Sequence, residues 1–177
     1  MNFNASHLFA TPSFYVQQML RDTLGTHVLA TTVGGGNIAT QGGAGLWSAQ
    51  ASAFSSSSAI SLSSVVVKLV NYASAAQPVN ITLSGLRSRQ KVTTVRADVL
   101  THANPLAENS LDDPQNVQPC SMPIDELRQV AGHKLCSPSI VSELDCSLLS
   151  GGFQMRLPPW SLVIATLTIG TNGAIES

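Results

Sequence analysis

The stretch Val65–Leu86, VVVKLVNYASAAQPVNITLSGL, contains two short runs in which apolar and polar residues alternate. A period of two is typical of a β-strand with one buried face. The first run covers Val65–Tyr72 and the second Gln77–Leu83, with the small and polar residues 73–76 between them. We therefore predict two antiparallel strands that pair with each other and share one core face.

The same alternation recurs on both sides of this stretch, from Trp47 to Ala53, from Val92 to Leu100 and from Trp160 to Ile169. Polar turns separate these runs and no helical pattern lies between them, which indicates a mainly β, antiparallel β-sandwich. Trp47 and Trp160 lie on runs whose neighbours look buried. Tyr72 is therefore the only aromatic residue that we expect on the surface of the sandwich.

A long polar segment, His102–Pro119 (HANPLAENSLDDPQNVQP), precedes the last third of the chain. Asn104-Pro105 and Asp113-Pro114 both disfavour helix, because a proline pushes the residue before it out of the α region. Loops of this length in compact domains are usually functional or disordered. We expect Glu108 and Asn109 to hydrogen-bond the loop's own backbone, because an ordered loop must satisfy its polar groups.

The one clear helical pattern is near the N-terminus, with Thr11 as N-cap, Pro12 at the first helical position and Gly25 as the stop signal. Its apolar stripe comprises Phe14, Tyr15, Val16, Met19 and Leu20. We expect a strand over Thr26–Val33 and then a flexible glycine loop. Gly34–Ala39 follows the pattern G-x-G-x-x-A, but more glycine follows instead of a helix, so we predict no dinucleotide site and no other cofactor.

Composition excludes several functions. The 177 residues carry 9 basic and 10 acidic side chains, for a formal net charge of −1. This length allows one domain with a substantial core. Balanced, scattered charge argues against a nucleic-acid partner. No run approaches the roughly 20 apolar residues that span a bilayer, so we expect no membrane partner.

Three cysteines, Cys120, Cys136 and Cys146, lie in the C-terminal third. An odd number leaves one thiol over even if the other two bridge, and in a reducing compartment all three would be small apolar residues. His133 lies among them, but the spacing matches no standard zinc site, so we predict no metal.

Two glycosylation sequons occur, Asn4-Ala-Ser6 and Asn80-Ile-Thr82. Such sites are surface positions in secreted proteins. Asn80 alternates with apolar neighbours, so we expect its side chain to face solvent.

Four segments in this order resemble the C-terminal part of the alpha-L-arabinofuranosidases of glycoside hydrolase family 51. They are SHLFATPSFYVQQML (Ser6–Leu20), VVVKLVNYASAAQPVNITLSGL (Val65–Leu86), VLTHANPLAENSLDDPQNVQP (Val99–Pro119) and RLPPWSLVIATL (Arg156–Leu167). Leu111, where the family usually has an aromatic residue, the glycine loop Gly34–Gly45 and an insertion around residues 132–150 depart from the pattern.

The resemblance implies a domain plan. Residues 1–25 would be a remnant of the catalytic (β/α)8 barrel, its last helix. Residues 26–45 would form a connecting strand and the glycine loop, and residues 46–170 a jelly-roll β-sandwich with an irregular insertion near 132–150. Residues 171–177 would be a tail. The helix stripe would then have its proper partner in the barrel, so we expect it to be only partly covered within this chain.

The resemblance also implies the chemistry, namely hydrolysis of terminal non-reducing alpha-L-arabinofuranosyl groups of arabinan and arabinoxylan. A retaining mechanism needs two carboxyl groups roughly 5–5.5 Å apart, and in this family both are barrel glutamates. We expect this chain to lack both, to contain no catalytic residue and to be inactive alone. Glu108, with Asp112 and Asp113 nearby, is the candidate for a carboxylate that could replace the barrel glutamates, and we interpret it as structural.

The implied partners are the barrel of the full-length enzyme and, through that barrel, an arabinose-containing polysaccharide. The full-length protein is expected to be extracellular, although the chain contains no signal peptide. Two alternatives stay open. One is a carbohydrate-binding module, which needs exposed aromatic platforms, whereas we expect only Tyr72 to be exposed on the sandwich. The other is a scaffold without activity, and the sequence does not decide whether Met1 is the true start.

Overall fold

The computed structural model describes residues 2–3, 8–31, 47–55, 62–88, 90–123, 136, 147–149 and 152–171, and the structural statements below concern these residues. They form one α-helix, α1 (Pro12–Arg21), and eleven strands. The strands are β1 (Asn2–Phe3), β2 (Leu8–Phe9), β3 (His27–Val28), β4 (Trp47–Ser55), β5 (Leu62–Asn71), β6 (Gln77–Thr82), β7 (Gln90–Thr101), β8 (Cys120–Pro123), β9 (Ser147–Leu149), β10 (Gly152–Leu157) and β11 (Ser161–Thr171).

The strands form two main antiparallel sheets, a six-stranded sheet in the order β3-β4-β5-β11-β7-β8 and a three-stranded sheet in the order β6-β10-β9. The short strands β1 and β2 pair separately with each other. The chain crosses from the large sheet to the small one after β5, returns after β6, and crosses again on either side of the β9–β10 pair. The predicted antiparallel β-sandwich is confirmed, and this alternation between sheets is that of the jelly-roll type.

The predicted pairing of Val65–Tyr72 with Gln77–Leu83 is wrong. β5 pairs with β4 and β11, whereas β6 pairs with β10 in the opposite sheet. The turn is a corner between sheets, and Asn71, at the end of β5, hydrogen-bonds its backbone. Its Oδ1 accepts the N–H of Ala73 at 2.9 Å and its Nδ2 donates to the carbonyl of Ala75 at 2.9 Å.

The core lies between the two sheets and follows the alternation seen in the sequence. Phe153, at the centre of the small sheet, is 0% exposed. The apolar residues on the inner face of the large sheet are Val65, Val67, Leu69, Val95, Ala97, Val99, Val163, Ala165 and Leu167. Val79, Met155 and Leu157 join Phe153 from the small sheet. Burial of each of these larger side chains stabilises the fold by roughly 1.5–3 kcal/mol.

Helix α1 begins as predicted but ends earlier. Thr11 is the N-cap, and its Oγ1 accepts the N–H of Phe14 at 3.3 Å. The helix ends at Arg21 with Asp22 as C-cap, so the predicted stop at Gly25 is wrong. Thr23 accounts for the difference, since its hydroxyl donates to the carbonyl of Met19 at 2.7 Å and so satisfies a free carbonyl of the last turn.

The region between the helix and β4 is only partly described. Of the strand predicted over Thr26–Val33, the structure has β3, which pairs with β4 at the edge of the large sheet. The glycine loop Gly34–Gly45, the insertion near 132–150 apart from Cys136 and residues 147–149, and the side chain of Trp47 lie outside the described residues.

Candidate functional site: the helix-covered face of the large sheet

Helix α1 packs on the outer face of the large sheet, opposite the sandwich core. Met19 is 8% exposed and lies against the outward-facing Val66 and Ile164. Tyr15, Val16 and Leu20 are half-buried in the same cluster. The expected partial coverage of the stripe is therefore confirmed, but the surface that covers it is this chain's own sheet.

Apolar side chains remain uncovered on the segments that flank the helix. Leu8 before the helix is 65% exposed, and Leu24 and Val28 after it are 67% and 76% exposed. Phe14 is half-buried and lies edge-on to Tyr15, with 6.0 Å between the ring centroids. One face of the helix thus lies on the sheet, and the described segments before and after the helix carry exposed apolar side chains.

The loop His102–Pro119 is fastened beside the helix by Asn109, which is 6% exposed. Its Nδ2 donates to the carbonyl of Ala10 at 2.7 Å and to that of Val117 at 2.8 Å, and its Oδ1 accepts the N–H of Val117. The predicted role of Asn109 is confirmed. Because Ala10 immediately precedes the helix cap, this amide also ties the loop to the start of α1.

Glu108 does not share that role. Its side chain is exposed, and it is its backbone carbonyl that accepts a hydrogen bond, from Nδ2 of Asn116 at 3.0 Å. Asp112 and Asp113 are also exposed. Glu126, Glu143 and Glu176 lie outside the described residues. Among the described residues, no group of three or more histidine, cysteine or acidic side chains is placed to hold a metal ion.

Three ring-bearing residues stand side by side where the central strands end. Asn71 of β5 and Ser161 of β11 are register partners, and Ser161 is also the partner of Thr101 of β7. Just outside the paired region, Tyr72 follows Asn71, Trp160 precedes Ser161 and His102 follows Thr101. Neighbouring strands lie about 4.8 Å apart, so the ends of these three strands span roughly 10 Å. We call Tyr72, Trp160 and His102 the ring row.

The turn that carries Trp160 has an unusual backbone and many hydrogen bonds. Trp160 has φ 47°, in the left-handed region that a non-glycine residue rarely occupies. Its N–H donates to the carbonyl of Ala73 at 3.2 Å. The preceding prolyl carbonyls are also bonded, Pro158 to Asn71 and Ser161, and Pro159 to Oγ1 of Thr101 at 2.8 Å.

Trp160 is 37% exposed and Tyr72 is 54% exposed, so the expectation that Trp160 lies buried on a strand is wrong. The strand begins one residue later, at Ser161. The signal was present in the sequence, because Pro158-Pro159 supplies no N–H for strand pairing and favours a turn.

The ring row forms one rim of a groove of about 290 Å³, which we call the loop-end groove. Val70, Leu162 and Leu100 also line it, and these are register partners one row inward from the rings. Helix α1 contributes Pro12 and Val16, and the loop contributes Asn104, Pro105, Ala107 and Val117. Among its described lining residues none is aspartate, glutamate, lysine or arginine.

His102 and Asn104 supply polar atoms at this groove. Nδ1 of His102 lies 3.0 Å from the backbone nitrogen of Asn104 and 3.2 Å from its carbonyl oxygen, so the ring is tied to the backbone of Asn104 through Nδ1. Oδ1 of Asn104 accepts the N–H of Leu106 at 3.0 Å. Nε2 of His102 and the side-chain nitrogen Nδ2 of Asn104 have no hydrogen-bond partner among the described residues and are both polar atoms open to a ligand.

A second, more polar pocket of about 610 Å³ lies on the other side of the helix. Arg96 and Asp98 form an ion pair there at 2.8 Å, and Ser121 donates to Oδ1 of Asp98 and accepts from Arg96. Asp98 and Ser121 are register partners on β7 and β8, which explains their proximity. The two opposite charges pair with each other, so the ion pair and Ser121 stabilise the edge of the sheet.

The remaining predicted features fall in different places. Asn80 is exposed on the outer face of the small sheet, away from α1, and Asn4 lies outside the described residues. Cys120 and Cys136 form a disulfide, with 4.8 Å between their Cα atoms. Cys146 and His133 lie outside the described residues. Within the described chain, no helix is long and apolar enough to cross a membrane.

Comparison with known proteins gives a consistent result. The sequence model of the family described as alpha-L-arabinofuranosidase C-terminal domain matches residues 1–136. Alpha-L-arabinofuranosidase 1 of Arabidopsis thaliana is 26% identical over 157 residues, which cover 88% of this chain and 21% of that protein.

Solved structures agree in fold. The arabinose-bound structure of a GH51 alpha-L-arabinofuranosidase superposes with a TM-score of 0.63 at 20% identity, covering 95% of this chain and 21% of that one. A second arabinofuranosidase crystal structure gives a TM-score of 0.61 at 15% identity, covering 94% of this chain and 31% of that one. The chain therefore spans about a fifth of the length of the first relatives it matches.

Proposed function

The chain belongs to the family of alpha-L-arabinofuranosidase C-terminal domains, and from that premise we propose that it is the C-terminal segment of such an enzyme. The full enzyme would hydrolyse terminal non-reducing alpha-L-arabinofuranosyl groups of arabinan and arabinoxylan. Support comes from the family match, from the sandwich fold and from the share of its relatives' length that the chain covers. The chain's own role is that of an accessory domain.

The chemistry in this proposal takes place outside the chain. A retaining glycosidase uses an acid/base carboxyl and a nucleophile carboxylate roughly 5–5.5 Å apart. In a (β/α)8 barrel such groups stand at the C-terminal ends of strands. Glu108, by contrast, is exposed in a loop whose neighbouring Asn109 has a structural role. The isolated chain is accordingly inactive, and the barrel supplies both glutamates.

The accessory role is to pack against the barrel through the surface around α1. The observation that carries this is the set of exposed apolar side chains on both flanks of the helix, Leu8, Leu24 and Val28. A helix whose inner face already lies on the sheet offers these flanks and Phe14 to a second surface. Removing such groups from water contributes about 25 cal/mol per Å² of apolar area.

We also propose that the full-length protein is extracellular. The disulfide Cys120–Cys136 supports this, since disulfides persist in oxidising compartments and are rare in the cytosol. The exposed sequon asparagine, Asn80, supports it as well, and a glycan there would project from the sheet that faces away from α1. Secretion from a eukaryotic host, followed by enzymatic deglycosylation, tests the site. In an Asn4→Gln background, which leaves Asn80 as the only sequon, we expect a mass shift that Asn80→Gln removes. No shift in that background would exclude Asn80.

The proposal as a whole is tested by the coding sequence upstream of Met1 and by activity. We expect an upstream reading frame with the alternating strands and helices of a barrel, and hydrolysis of an aryl arabinofuranoside by the extended protein. Leu24→Ser and Val28→Ser together are expected to lower the thermal stability of the extended protein more than that of the chain alone. Equal effects in both proteins would show that this surface has no partner.

A further inference from the structure

The ring row combines two features that structural packing alone does not require. Trp160 keeps φ 47°, a conformation that destabilises any residue with a Cβ and that glycine or asparagine would adopt more readily. The side chain presented in this way is a large indole, 37% exposed, beside Tyr72, which is 54% exposed. Strained backbone of this kind concentrates at functional sites.

The turn is rigid as well as strained. Asn71, which is 1% exposed, donates to the carbonyls of Leu157 and Pro158 at 3.3 Å and 2.8 Å. Thr101 fixes the next carbonyl, that of Pro159. The backbone that carries the indole is therefore held by bonds to the strands on both sides, so little backbone entropy would be lost when a ligand contacts the ring.

The composition of the loop-end groove limits the class of ligand. Ligand pockets are usually roughly 300–1,000 Å³ and mainly apolar with a few placed polar groups, and this groove of about 290 Å³ lies just below that range. No carboxylate, ammonium or guanidinium group is present among its described lining residues. Aromatic faces with a few hydrogen-bond donors fit an uncharged ligand with C–H faces and hydroxyl groups.

Sugar rings have this chemistry, because their C–H faces pack on aromatic rings while their hydroxyl groups hydrogen-bond at the edges. We propose that the loop-end groove is a saccharide-binding site in which Trp160 and Tyr72 stack against successive sugar rings of a neutral pentose chain. Nε2 of His102 and the side-chain amide of Asn104 hydrogen-bond its hydroxyl groups. The restriction to pentose chains rests on the proposed function, whereas the aromatic groove itself does not.

Binding by the 177-residue chain tests the proposal without any hydrolytic step. Arabinotriose and xylotriose are titrated separately, with indole fluorescence and calorimetry as readouts, and debranched arabinan and xylan are used in affinity electrophoresis. We expect saturable binding of at least one trisaccharide. Binding of arabinotriose would identify the arabinan chain as the ligand, and binding of xylotriose the xylan backbone. Absence of binding in both arms would overturn the proposal.

Variants separate recognition from folding. Trp160→Ala and Tyr72→Ala are each expected to weaken binding about tenfold, and Trp160→Phe to retain most of it. Leu106→Ala is the matched control, because Leu106 is 84% exposed in the same loop and does not line the groove. Trp160→Gly relieves the backbone strain and should bind as weakly as Trp160→Ala while remaining folded. Unchanged affinity in the two alanine variants would overturn the proposal, whatever the outcome for barrel docking or hydrolysis.

Discussion

Asn71, the last residue of β5, and Ser161, the first residue of β11, are register partners, and both donate a hydrogen bond to the same carbonyl, that of Pro158. The distances are 2.8 Å from Nδ2 of Asn71 and 2.7 Å from Oγ of Ser161. Both side chains are buried. This shared acceptor fixes the turn before β11, and with it the position of Trp160.

Asn71→Ala is expected to destabilise the chain by about 2–3 kcal/mol, because it leaves the carbonyl of Leu157 and the N–H of Ala73 without their partner in a buried place. Urea unfolding measures the change. Asn80→Ala is the control, since Asn80 is exposed and its replacement should change stability by less than about 0.5 kcal/mol. Similar effects of the two substitutions would contradict the assigned role of Asn71.

At position 160, glycine and alanine remove the same ring and differ in backbone preference. Because φ is 47°, we expect Trp160→Gly to be more stable than Trp160→Ala by about 1 kcal/mol. The midpoints of urea unfolding give the difference directly. An alanine variant at least as stable as the glycine variant would show that the left-handed conformation is absent in solution.

Two glycines should respond differently to a side chain. A Cβ on Gly152 would clash with the carbonyl oxygen of Ile81 on the paired strand, so Gly152→Ala should destabilise by about 3 kcal/mol or prevent folding. Gly85 has φ 84° with nothing within 4 Å of a built Cβ, so Gly85→Asn should cost about 1 kcal/mol or less. Thermal unfolding of both variants checks this order, and a reversed order would refute the close approach of β6 and β10.

Reduction of Cys120–Cys136 should destabilise the chain. The bridge joins residues 16 positions apart, and closing a loop of about 15 residues is worth about 3 kcal/mol in the chain-entropy treatment. Unfolding with and without reductant measures the effect, and Cys146→Ser serves as control because it leaves the bridge intact. Alkylation of all three cysteines without reductant would show that the bridge does not form.

The sequence predicted well what depends on local pattern. Thr11 and Pro12 define the helix start through side-chain capping and a fixed φ, both of which are local effects. The alternation in β5 and β7 correctly separates core-facing from outward-facing residues, because side chains in a strand alternate sides whatever the neighbour.

Pairing and exposure were harder to predict. A hairpin and a corner between sheets have the same alternating flanks, and only the bonds of Asn71 to Ala73 and Ala75 decide between them here. Trp160 continues the apolar alternation of β11 in sequence, yet its backbone leaves the strand. The ring row could not be foreseen, since it joins the ends of three strands far apart in the chain.

The central claim, that this chain is the accessory domain of an arabinofuranosidase whose catalytic glutamates lie elsewhere, is tested most directly by hydrolysis of an aryl alpha-L-arabinofuranoside. The 177-residue chain is compared with the protein extended upstream of Met1, each with and without Glu108→Gln. The account predicts no turnover above buffer for the chain alone, and turnover by the extended protein that Glu108→Gln leaves unchanged. Turnover by the chain alone that Glu108→Gln abolishes would contradict it.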